Sequence, residues 1–171
     1  MVTIPQDLDE QICNFQIRQA HPTDDWGGLV CLDDICFAGS GKWSPAFFSS
    51  VLQHRNFSIG VAEATFFPGR PRNEQPRIVL GFAVFKSTTD GSLELAKIAV
   101  LKRYRRVGVG SGLICSPDPL GKSIFVYADE RDLQLLSFLR ANGFIATKVI
   151  KGDADDGRDT YEMIRRAEWG V

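Results

Sequence analysis

The chain has 171 residues, of which 44% are hydrophobic and 24% charged, enough for one packed domain over residues 1–171. Its 20 Lys and Arg against 21 Asp and Glu leave a net charge of −1, so no overall basic field draws it to nucleic acid or to a membrane surface. No apolar run approaches the ~20 residues that span a bilayer, and "MVTIPQDLDE" lacks the basic and apolar regions of an export signal, which together predict a cytoplasmic protein. Cys13, Cys31, Cys36 and Cys115 form no C-x-x-C pair and are joined only by His21 and His54. That argues against a metal site and against a Ser-His-Asp or Cys-His enzyme.

In chain order, "NFQIRQA" (14–20) reads as a first strand, and Asp24 caps a helix through "DWGGLVCLDDICFA" with Leu29, Leu32, Ile35 and Cys36 as its apolar stripe. Ser44 and Pro45 are cap and first residue of a second helix, continued by "AFFSSVLQH". "FSIGVAEA" (57–64) and "RIVLGFAVFK" (77–86) are antiparallel strands around the long loop "FPGRPRNEQP". "TTDGS" turns into a fourth strand, "LELAKIAV" (93–100). A short helix follows the glycines and stops before Pro117 and Pro119. "SIFVYA" (123–128) is a fifth strand. "ERDLQLLSFLRANG" is a helix with Leu133, Leu136 and Leu139 at helical spacing and Gly143 just past its end. "FIATKVI" and "DTYEMIRR" close the sheet around "KGDADDG". The order β-α-α-β-β-β-α-β-α-β-β is a mixed α/β (α+β) arrangement.

The chemistry concentrates in "KIAVLKRYRRVGVGSGLI" (97–114), where a strand, two arginines, three alternating glycines and a helix start coincide. A dinucleotide fingerprint needs G-x-G-x-x-G, but the sixth position from Gly108 is Leu113. "GKS" at 121–123 fails as a phosphate loop, because Ser116 stands where the first glycine belongs. What fits is a turn whose N–H groups from Val107 to Ser111 point outward at a helix start, with Arg105 and Arg106 adding positive charge. Such a turn takes a phosphate or pyrophosphate; the bland alternative is ordinary glycine punctuation.

"IAVLKRYRRVGVGSGLI" resembles motif A of the Gcn5-related N-acetyltransferases (GNAT), R/Q-x-x-G-x-G/A, matched by Arg105, Gly108 and Gly110. "FLRANGF" (138–144) resembles the family's F-Y-x-x-x-G-F segment, and "CFAGSGKWSPAFF" resembles the ribosomal-protein-alanine acetyltransferase branch. The resemblance implies a central, mostly antiparallel sheet of about seven strands flanked by helices and splayed between strands four and five. It implies acetyl-CoA as acetyl donor and a primary amine (a small molecule or a peptide N-terminus) as acceptor. The chain itself would be a monomer or homodimer with no nucleic-acid or membrane partner.

On that resemblance, the backbone of Ile98, Ala99 and Val100 pairs with the amide-rich arm of acetyl-CoA. Arg105, Arg106, Val107, Gly108, Val109, Gly110 and Ser111 cradle the pyrophosphate. Asp132 stands where relatives have a cofactor-contacting Asn, although an ionised carboxylate cannot donate. The Val100 N–H would stabilise the developing oxyanion. Glu94 matches the strand-four glutamate base of the histone-acetyltransferase branch. Strict alternation puts it on the face of Ala96, Ile98 and Val100, and a carboxylate among apolar neighbours takes up a proton more readily than one in water. The alternative is a solvated edge carboxylate or an ion pair. The family's tyrosine acid is replaced by Leu139, and the alanine-acetyltransferase glutamate by Tyr127. Either Tyr127 or Tyr161 supplies the proton, or water does, or the domain is a catalytically weak acyl-CoA-binding sensor. Asp153, Asp155, Asp156 and Asp159 form either an acidic rim for a cationic acceptor or a solvated turn. The brief helix after the glycines leaves one sheet face less covered than in relatives.

Overall fold

The computed structural model describes residues 15–21, 26–37, 41–64, 78–117, 121–153 and 157–167. The expected cap Asp24, the loop 67–76, Pro119, Asp155 and Asp156 lie outside them. Seven strands form one sheet in the order β1-β2-β3-β4-β5-β7-β6. They are β1 (Phe15–Gln19), β2 (Phe57–Ala64), β3 (Ile78–Ser87), β4 (Leu93–Val100), β5 (Ile124–Asp129), β6 (Ile145–Ile150) and β7 (Thr160–Arg165). All neighbours are antiparallel except β4 and β5, which are parallel. The helices are α1 (Trp26–Cys36), α2 (Pro45–Gln53), α3 (Val109–Cys115) and α4 (Leu133–Ala141). This is the mixed sheet and element order expected, with boundaries within three residues.

Both faces of the central strands are covered, so β2 and β3 read as nearly continuous apolar runs, and Val61, Phe82, Ala83 and Val84 are fully buried. On one face α2 sets Phe48 edge-on to Phe82 at 5.7 Å. On the other, α3 packs Leu113 over Gly81, where an added Cβ would fall 3.2 Å from Leu113. Ser44 caps α2 by accepting from the Phe47 N–H at 3.2 Å, with Pro45 next. Asp132 caps α4, and Gly143 follows it at φ 82. As expected, α3 is short at 7 residues.

Two helix stripes differ from their periodicity. Ile35 is 58% exposed, while its neighbour Asp33 is fully buried. Leu133 is exposed at the first turn of α4, whose buried residue is Leu139. For α1 the buried face is set by a lysine on β4 (below), which an apolar count cannot see. His21 and His54 are both exposed. No helix among the described residues is long and apolar enough to cross a membrane, and no cluster of three metal-ligating side chains occurs among them.

Candidate active site

β4 and β5 pair only at Leu93–Ile124 and Glu94–Phe125, then diverge. From residue 95 to residue 100 the β5 side of β4 therefore has no ladder partner. Leu101 N–H donates to Leu80 O at 2.9 Å. By alternation Ala99 also turns its backbone to β3, and Ile98 and Val100 present theirs to the cleft. An open edge of this kind takes an extended, amide-bearing chain as an added strand.

The cleft runs into the glycine turn, where Arg106 (φ 66) and Gly108 (φ 91) both adopt left-handed backbone. Reversals of this sort turn successive N–H groups toward one point. The first intrahelical bond of α3 is Gly112 N–H to Gly108 O, so the N–H groups of Val109, Gly110 and Ser111 have no partner within the helix. The three alternating glycines serve different needs. Only Gly108 is required by conformation. An added Cβ at Gly110 would meet the Phe138 ring of α4 at 2.9 Å, and one at Gly112 would meet Ile17 of β1 at 2.6 Å. Those two glycines let α3 sit close to its neighbours rather than close to a ligand.

The arginines also divide. Arg105 Nε donates to Val100 O at 3.0 Å, pinning the turn to the end of β4. Its guanidinium reaches the Cys36 thiol at the end of α1; burial pushes that thiol up and Arg105 pulls it back. Arg106 and Val107 are exposed on the turn. Asp132 is engaged as a cap, accepting from Leu135 N–H at 2.9 Å.

Glu94 lies on the opposite face from the one that strict alternation predicts. Val84 pairs with Lys97 and Phe85 with Leu95, so Ala96 is an extra residue, a β-bulge in β4. Cross-strand partners share a face. Glu94 therefore shares a face with Lys86, Val84, Lys97 and Ala99, beneath α1 and α2. Ile98 and Val100 face α3, where Val100 lies 3.1 Å from a Cβ built at Gly81. Glu94 sits 3.5 Å from Lys86 Nζ, and its side chain is 26% exposed.

The same face carries Phe125 and Tyr127 of β5, with ring centroids 5.7 Å apart, and Glu162 of β7, cross-strand from Tyr127. The Tyr127 hydroxyl lies 3.4 Å from Glu162 Oε2, a long bond, while Glu162 Oε1 accepts from Thr147 Oγ1 at 3.1 Å. Loss of hydration and the nearby carboxylates, Glu162 first and then Glu94 and Asp153, hold the Tyr127 proton on and push its pKa up. Tyr161 pairs with the buried Ala128 on the other face, so Glu94 and Tyr127 are brought together and Tyr161 is not. Leu139 is fully buried in the core. Of the acidic turn, Asp159 binds Lys151 and the Gly152 N–H, holding the β6–β7 connection together.

Sequence reasoning missed Glu162, for which no motif exists, and a buried pair under α1. Lys97 Nζ lies 2.5 Å from Asp33 Oδ1, their side chains 5% and 0% exposed. The available signal was a lysine inside the apolar run "LELAKIAV".

No family model matches the chain. It is 31% identical over 114 residues to an N-alpha-acetyltransferase of Sulfurisphaera tokodaii, covering 59% of this chain and 68% of that one. The chain belongs to the Gcn5-related N-acetyltransferases. The GNAT fold recurs in the ribosomal-protein-S18-alanine N-acetyltransferase from Escherichia coli, with TM-score 0.70 and 17% identity over 92% of this chain and 97% of that one. It recurs too in an acetyltransferase from Bacillus anthracis solved in complex with acetyl coenzyme A, with TM-score 0.67 and 16% identity over 90% and 98%. In this GNAT chain the open edge of β4, the turn at Arg105–Ser111 and the carboxylates under α1 and α2 adjoin one cleft.

Proposed function

We propose that this N-acetyltransferase binds acetyl-CoA in the β4–β5 cleft and transfers the acetyl group to a primary amine entering from the α1/α2 face. The observation that carries the reading is the divergence of β4 from β5 after Glu94, which leaves the Ile98 backbone and the Val100 N–H without a β5 partner and ends at a turn with two left-handed residues. Acetyl-CoA supplies the acetyl group as a thioester whose thiolate is the leaving group. Ile98 and Val100 bind the amide arm. The N–H groups of Val109, Gly110 and Ser111 and the charge of Arg106 hold the pyrophosphate. Arg105 fixes the turn through Val100 O, and Asp132 holds the start of α4. Val100 N–H points into the cleft, suited to the oxygen on which charge develops.

The amine is nucleophilic only when neutral. Glu94 removes its proton, and the carboxylates on this face favour a cationic acceptor. Tyr127, which keeps its proton, stands on the same face as the donor group. Free peptide N-termini are the first acceptors to test, given the N-alpha-acetyltransferase relative. Titration calorimetry with acetyl-CoA, using ATP and NAD as controls, tests the donor. Micromolar binding of acetyl-CoA alone is expected, and its absence would overturn the reading. Thiol release with short free-amino peptides tests the transfer. Glu94→Gln should keep acetyl-CoA affinity and lose turnover; unchanged turnover would remove Glu94 from the mechanism.

A further inference from the structure

Lys97 is an odd residue to bury. Its ammonium contacts Asp33 Oδ1, donates to Gly41 O at 2.7 Å, and lies over three rings, at 4.2 Å from Phe37, 4.6 Å from Trp43 and 5.9 Å from Phe48. Asp33 Oδ2 accepts from the Trp43 N–H at 2.8 Å. Thus one β4 side chain holds the last turn of α1, through Asp33 and Phe37, and the approach to α2, through Gly41, Trp43 and Phe48. The backbone of that same residue belongs to the β4 segment that diverges from β5, and the bulge at Ala96 turns its side chain to the face of Glu94, Tyr127 and Glu162.

We infer that Lys97 is a positioning residue for the acceptor amine: its ammonium, clamped by Asp33, Gly41 O and the aromatic rings, fixes the ends of α1 and α2 that wall the acceptor face. This rests on the function proposed above. A buried ion pair does not by itself imply stability, since well-packed apolar replacements often fold as well or better. A cationic point tying together two helix ends and a strand is explained by alignment of those ends, not by burial of area. The donor side uses the backbone of β4 and does not need the Lys97 charge.

The test is the double variant Asp33→Leu/Lys97→Met, which removes both charges together and keeps apolar volume. Acetyl-CoA affinity and melting temperature report the fold; thiol release with a free-amino peptide reports the acceptor side. The expected result is unchanged acetyl-CoA affinity with an amine KM raised about tenfold or more and a smaller change in kcat. An unchanged amine KM in a folded double variant would overturn the inference. If the double variant does not melt cooperatively, Asp33→Asn, which keeps the shape and an acceptor for Trp43, decides the matter the same way: a raised amine KM supports the clamp and an unchanged one overturns it. Absence of thiol release by the wild type would defeat the proposed function instead. Hydrogen exchange then decides the clamp, comparing the Phe47 and Phe48 amides at the start of α2 with β3 amides in the same double-variant sample. Faster exchange confined to α2 upholds it, and equal exchange overturns it.

Discussion

The cleft between β4 and β5 and the face beneath α1 and α2 are built from different materials. The cleft is made of backbone: the open edge at Ile98 and Val100, two left-handed residues, and the unpaired N–H groups at the start of α3. Its residues are consecutive, and its side chains serve mainly to hold it still. The face is made of side chains, Glu94, Lys97, Tyr127, Glu162 and Asp33, drawn from four separate elements. A backbone site tolerates changes of side chain so long as the conformation survives. A side-chain site depends on each group and on whatever sets its direction.

The side-chain face is most vulnerable at Lys97. Removing it alone leaves Asp33 charged and buried, and Lys97→Met should cost about 3–5 kcal/mol in chemical denaturation. Adding Asp33→Leu should recover most of that loss, and a double-mutant cycle that shows no coupling would deny the pair its role. Tyr127→Phe sharpens the contrast on the catalytic side. Turnover is expected to fall by about 10²-fold with acetyl-CoA affinity intact, whereas a full rate would return the proton transfer to water. On the cleft side, Gly81→Ala places a Cβ 2.7 Å from Ala99 O, a backbone atom that cannot swing away. A loss of about 1–3 kcal/mol, with weaker acetyl-CoA binding, is expected from urea melts and calorimetry. Ser44→Ala removes the cap of α2 and should cost about 1 kcal/mol while leaving the cleft untouched.

The smallest effect belongs to neither region. In the β3–β4 turn, bonds from Thr88 and then Ser92 hold the Asp90 carboxyl down to about 2, from an ordinary 3.8. A depressed folded value means this contribution is complete above pH 3.8 and is lost as pH falls toward about 2. A carboxyl NMR titration with Asp90→Asn as reference should show it, and an Asp90 midpoint near 3.8 would contradict it.

What was legible in the sequence follows the same division. β2 and β4 match their apolar runs residue for residue, because period-two alternation and turn residues are local signals. The glycine turn was legible because its parts are adjacent. The direction of Glu94 was not, because one extra residue at Ala96 resets the alternation and nothing in "LELAKIAV" marks where. Nothing local marks Asp33 for burial, since its partner lies 64 positions away (97 − 33) and only the folded sheet brings Lys97 beneath it. The packing roles of Gly110 and Gly112 were not legible, because a sequence shows that a side chain is missing but not that Phe138 and Ile17 fill its place. Glu162 meets Tyr127 across the β5–β7 register, and pairing between distant strands is not written in either strand alone.

The bulge at Ala96 acts on β4 as a frameshift acts on a reading frame. Skipped by the ladder, Ala96 keeps Glu94 opposite Lys86 and Lys97 opposite Val84. Drawn into regular pairing opposite Val84, it would send every side chain beyond it to the wrong side of the sheet, and the lysine would point into the oil beneath α3. A relative that lacks this residue keeps every one of these faces, whereas one that pairs it in step shares the shape and loses the arrangement of Glu94 and Lys97.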